Sequence, residues 1–120
     1  MQTQTNKGSK MNLAKQIALA CYPGYRGRKV KVEVRETYTL ADYWDGGSRE
    51  YATAYELATG TKQWPTVACG IPWSNVANST VTIPAGWAVV VHYIFCGKDC
   101  GIRIYINPSA DKAGLLKEAA

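Results

Sequence analysis

The 120-residue chain has one histidine, one phenylalanine and no apolar run longer than the ten residues from Trp87 to Cys96, which has His92 inside it. A bilayer-spanning helix needs about 18 or more continuous apolar residues, so a membrane span is not expected. The first ten residues, MQTQTNKGSK, are polar where a secretory signal would carry an apolar segment. A reducing, cytoplasmic compartment with free thiols follows as the expectation, a virion being the other location in view. No C-x2-C pair and no glycine-rich phosphate fingerprint occurs. The single histidine limits the chain to at most one nucleophile set of the cysteine–histidine kind. Internal repeats and low-complexity segments are also missing.

What is present is ordinary for one globular domain: 47% hydrophobic and 19% charged residues, 11 Gly, 5 Pro and a net charge of +5. A chain of this length buries roughly two-thirds of its unfolded surface and can fold on one core. That composition excludes collagen, mucin, coiled coil and wholesale disorder. The charge is uneven. Residues 1–31 carry Lys7, Lys10, Lys15, Arg26, Arg28, Lys29 and Lys31 with no acid, whereas residues 32–120 are net negative. Clustered cations of this kind attract phosphate backbones or an acidic protein surface.

Residues 1–10 read as a polar arm, 11–108 as the domain, and 109–120 as a tail with a short helix capped by Ser109 and containing Leu115 and Leu116. Ser9 suits an N-cap for a helix along KMNLAKQIALAC, whose Leu13, Ile17 and Ala20 recur at helical spacing. Pro23 and Gly24 end it. From Val30 the period becomes two, and Val30, Val32 and Val34 alternate with Lys31, Glu33 and Arg35. Glu36 falls on the apolar parity, which requires a bulge or an inward carboxylate with a partner. Residues 41–49 are turn chemistry, and 50–57 alternate again, so 30–57 reads as a β-hairpin. Residues 61–77 read as a long loop and 80–83 as a short strand. Trp87 to Cys96 is apolar on both parities, like a strand covered on both faces. It forms a second hairpin, through a turn at 97–101, with a strand carrying Ile102, Ile104 and Ile106.

The segments YRGRK (25–29), YWDGGSR (43–49), LATG (57–60) and FCGKDCGI (95–102) together resemble a family of small uncharacterised proteins of bacteriophages, prophages and bacterial genomes. The resemblance implies an accessory gene product of phage type with a shared fold. It brings no catalytic residues.

Among chemical constellations, His92, Cys96 and Cys100 are spaced by four, with Cys69 as a fourth donor, which suits zinc in ligand type though not in spacing. A buried histidine with inert thiols explains the same residues. Cys96 and Cys100 would bridge if oxidised. A nucleophile set of Cys96 or Cys100 with His92 and Asp99 is the corresponding catalytic reading. The aromatics carry more information, with 8 Tyr and 4 Trp against the single Phe. Tyr and Trp anchor interfaces and stack on unpaired bases. Tyr25, Arg26, Arg28 and Lys29 form a basic aromatic loop, and Tyr43, Trp44, Asp45, Arg49, Trp64 and Trp73 lie in the other loops. Aromatics that merely close the ends of a β core are the plainer account of the same residues.

The expected fold is α+β and mainly β, with an N-terminal amphipathic helix on an antiparallel sheet of about five strands built from hairpins. The expected function is binding rather than catalysis: an accessory protein of phage type engaging a host or viral macromolecule, either nucleic acid or an acidic protein surface, through these loops. The rival readings are a virion or assembly component that forms a homo-oligomer, a small zinc protein, and a cysteine-dependent enzyme.

Overall fold

The computed structural model describes residues 12–27, 29–40, 44–45, 48–71, 79–110 and 114–119. The Ser9 cap, the arm, and the site candidates Arg28, Tyr43 and Trp73 lie outside them. Helix α1, Leu13–Cys21, starts later than its apolar stripe suggests, because Asn12 caps it by accepting the Lys15 N–H on its side-chain oxygen at 2.8 Å. Ala14, Ile17 and Ala18 form its buried face.

The strands are β1 (Val30–Val34), β2 (Thr37–Thr39), β3 (Trp44–Asp45), β4 (Ser48–Glu56), β5 (Lys62–Gln63), β6 (Thr80–Thr82), β7 (Trp87–Phe95) and β8 (Lys98–Ile106). The main sheet runs β1-β8-β7-β4-β3, with β5 also on β4, and a second sheet pairs β2 with β6. The fold is mainly β with the N-terminal helix α1 packed on the sheet, as the patterning implies.

Two expectations are corrected. The main sheet is mixed, because β1 lies parallel to β8, in register from Val30 opposite Ile102 to Val34 opposite Ile106. Residues 30–57 are therefore not a hairpin, since β4 pairs with β7 instead. The cause is visible at Glu36, whose parity slip is neither a bulge nor an inward carboxylate. The chain changes sheets there: Glu36 is exposed, its carbonyl accepts the Ile83 N–H at 2.9 Å, and Thr37 opens the second sheet.

Of the expected loop 61–77, the described part, 61–71, contains β5 and a short helix α2, Pro65–Ala68. The turn after β7 is tighter than 97–101: Phe95 pairs directly with Lys98 across Cys96 and Gly97. At the other end, Asn107 rather than Ser109 caps the tail's first 3-10 turn, its side-chain oxygen accepting from the Ser109 N–H at 3.0 Å. Leu115, in the second turn (Leu115–Ala119), is fully buried.

The β7–β8 pair is covered on both sides. One face packs Val90, Ile102, Ile104 and Ile106 against α1 and Leu115. The other packs Val89, Val91 and Tyr105 against Tyr38, Leu40, Val81 and Ile83 from the second sheet. The apolar double parity of β7 thus corresponds to a strand buried from both faces.

Candidate functional site

The parallel pairing of β1 and β8 brings Lys31 opposite Arg103, on the face that carries Tyr93 and Tyr105. Next to it the β7–β8 register slips between Tyr93 and Ile94, so that Tyr93 faces Gly101 and Ile94 faces Asp99. Cys100 is the extra residue of this bulge, and Gly101 takes φ 130°, a backbone state that side chains rarely adopt. Bulges of this kind re-aim side chains at strand ends. A cleft of about 470 Å³ opens there, lined by Lys29, Lys31, Tyr93, Cys100, Gly101, Ile102 and Arg103. A smaller one of about 290 Å³ adjoins it across Lys29, Cys100 and Gly101, and reaches Tyr25, Gly27 and Asp99.

The larger cleft is cationic over an aromatic ring. Lys29 and Lys31 are exposed, and Arg103 is half-exposed with its guanidinium 5.7 Å from the centre of the Tyr93 ring. Glu33 answers part of the Arg103 charge at 3.2 Å. Tyr93 is held by a 3.0 Å hydrogen bond between its hydroxyl and that of Tyr105, and Tyr105 stacks on Tyr38. Tyr38 in turn donates to Glu50 at 2.6 Å. Burial, foremost, pushes the Tyr38 and Tyr93 hydroxyls above the ordinary tyrosine range, which favours their neutral forms.

The smaller cleft is braced by His92 and Asp99. His92 is 7% exposed and donates from Nε2 to Asp99 at 2.9 Å. The second Asp99 oxygen accepts the Arg26 N–H at 3.2 Å, tying the basic loop to β8. Tyr22 and Tyr25 flank the imidazole with ring centres 5.1 and 5.2 Å away. Tyr25, read from the sequence as a surface ring, is only 5% exposed and belongs to the α1-side core. Its hydroxyl donates to the Lys29 carbonyl at 2.6 Å, so its role is to hold the loop that carries Lys29.

The remaining candidates are dispersed. Trp64 is 43% exposed at the start of α2, on the β4–β5 side of the sheet, away from the β1 edge. Arg49, on β4, donates to the Tyr51 hydroxyl at 2.9 Å. Trp44 and Asp45 form β3 beside β4. Cys69 is half-buried against the second-sheet core, and its thiol is pushed up by burial. Cys96 and Cys100 are exposed free thiols, and the Cys100 Sγ donates to the Lys98 carbonyl at 3.5 Å. His92 is engaged by Asp99, and no group of three His, Cys, Asp or Glu side chains is placed to hold a metal among the described residues.

Sequence reasoning missed Lys31, Tyr93 and Arg103 as partners in one site. Each lies on what reads as the polar or mixed parity of its own strand. Their meeting depends on a parallel contact between segments some 70 residues apart, which leaves no local signal. No protein-family model, no curated protein and no solved structure matches the chain.

Proposed function

We propose that the protein is a non-enzymatic nucleic-acid-binding protein, an accessory product of phage type, whose β1–β8 cleft takes the phosphate backbone of a single strand. The observation that carries this reading is the convergence of Lys29, Lys31 and Arg103 around Tyr93 in one open cleft. Cations track a phosphate chain by displacing its counterions, and an aromatic ring beside them offers a stacking surface to an unpaired base. Arg26, exposed in the loop before β1, extends the positive charge past the cleft. An acidic protein surface would meet the same cations but would have less use for the ring.

The test is binding of single-stranded DNA and RNA across a salt series, by the whole protein and by a Lys29→Ala/Lys31→Ala/Arg103→Ala variant. The expected result is weaker binding whatever the base sequence, with the salt slope falling by about one for each cation withdrawn from the phosphate chain. These side chains are surface-exposed, so thermal melting should move little. Equal affinity and equal slope for the two proteins would sink the proposal.

A further inference from the structure

We propose that Cys100 is a mixed-disulfide site, taking one half of the disulfide of a small zwitterionic peptide thiol of the glutathione class. The inference goes beyond nucleic-acid binding and does not rest on it, because it starts from a thiol placed between two clefts of opposite chemistry. The bulge after Tyr93 sets Cys100 out of the β7–β8 ladder, and its side chain lines both the cleft of about 470 Å³ and the adjoining one of about 290 Å³. On one side of the sulfur stand Lys29, Lys31 and Arg103. On the other is the Asp99 carboxylate, whose side chain is 28% exposed. One Asp99 oxygen accepts from His92 and the other from the Arg26 N–H. A carboxylate oxygen has two lone pairs, so each keeps one for a further donor. Cys96 is also a free and exposed thiol, but it lines neither cleft.

A ligand matched to this site carries its sulfur in the middle, anionic groups to one side and a cationic donor to the other. A cysteine-centred peptide of the glutathione type has that order. Its glycine carboxylate meets the cations of the larger cleft, and charge-assisted hydrogen bonds of this kind are the stronger ones. The ammonium at its other end meets Asp99. The carboxylate beside that ammonium has Lys29, which lines both clefts, as its cation. The larger cleft has the volume of an ordinary small-molecule pocket. The step itself is thiol–disulfide exchange. The Cys100 Sγ, as thiolate, attacks one sulfur of the ligand's S–S bond. That bond breaks, a new S–S bond joins Cys100 to one half, and the other half leaves as a thiolate that takes up the proton Cys100 gave away. The ligand's disulfide is the oxidant, and none besides it is consumed.

The experiment treats the whole protein with oxidised glutathione and, separately, with neutral hydroxyethyl disulfide, and follows the adducts on Cys96 and Cys100 over time by mass mapping. The neutral reagent reads the bare accessibility of each sulfur, so the deciding quantity is how the ratio of Cys100 to Cys96 modification changes between reagents. That ratio should be about tenfold higher with oxidised glutathione, the gain a charged cleft gives an oppositely charged reactant. Added salt should shrink it. Dithiodipropionate, a disulfide of the same net charge without the ammonium groups, should show a smaller gain. In Lys29→Ala/Lys31→Ala the gain should fall away, while hydroxyethyl disulfide still labels Cys100 and so reports an intact fold and an open thiol. The same ratio for the neutral reagent and oxidised glutathione would overturn the proposal. So would a gain undiminished by removal of the lysines, or one equally large with dithiodipropionate. No nucleic acid enters these measurements, so their failure leaves the nucleic-acid reading standing, and a failure of DNA and RNA binding leaves them untouched.

Discussion

The four cysteines show how far one residue type is governed by its surroundings. Cys21, at the end of α1, packs against the core, and burial pushes its thiol up to about 11 although Lys62 pulls the other way. Cys69 is raised by burial as well, whereas Cys96 and Cys100 stand exposed at the β7–β8 tip. Since the thiolate is the reactive form, a disulfide reagent near neutral pH should titrate Cys96 and Cys100 quickly and the other two only on unfolding. Mass mapping of the labelled sites would check this, and rapid labelling of Cys21 would contradict the packing. Gly27 is constrained in another way: a methyl group there would run into the Tyr25 ring, which the Lys29 carbonyl bond holds in place.

Among the elements, the β7–β8 hairpin departs most from its ideal chemistry. Its two turn residues, Cys96 and Gly97, take φ of 52° and 81°, the positive pair that a two-residue hairpin of matching twist requires. Glycine does this freely. Cysteine does not, and a left-handed residue with a β-carbon costs roughly 1–2 kcal/mol. Cys96→Asn gives the turn its preferred Asn-Gly pair and should stabilise the protein by about 0.5–1 kcal/mol in denaturant titration. A loss of stability would mean that the thiol makes an interaction worth more than the backbone strain. In β1 and β2 the decisive feature is Glu36, an exposed carboxylate at the point where the chain passes from one sheet to the other.

Across the whole molecule, acidic protons are distributed so as to favour neutral conditions. Burial is the leading cause that raises the Tyr22, Tyr38 and Tyr93 hydroxyls and the Cys21 thiol. Each is raised above its unfolded value, so its contribution to stability is complete below that value and is lost as pH climbs towards the folded one. The window opens near 9.0 for Cys21 and near 10.0 for the tyrosines. The melting temperature should therefore hold level from neutrality to about pH 9 and then fall. An unchanged melting temperature at pH 11 would contradict the burial of these groups.

By itself the sequence determined the elements whose cause is local. The α1 stripe with Pro23-Gly24 after it, the alternation of β1 and of β8 from Ile102, and the double-sided apolarity of β7 are periodicities that a chain displays one segment at a time. The 87–106 hairpin was legible for the same reason, because its partners are neighbours in the chain. The tertiary structure decided everything that joins distant segments: β1 beside β8, β2 with β6, Tyr25 buried in the core, and His92 claimed by Asp99 rather than by a thiol. The cleft belongs to this second group. Lys29 and Lys31 sit near the start of the domain and Arg103 near its end, and alternation records only that each faces away from the α1-side core. Which strand lies alongside depends on free energy summed over both faces of the sheet, and no short window of sequence contains that sum.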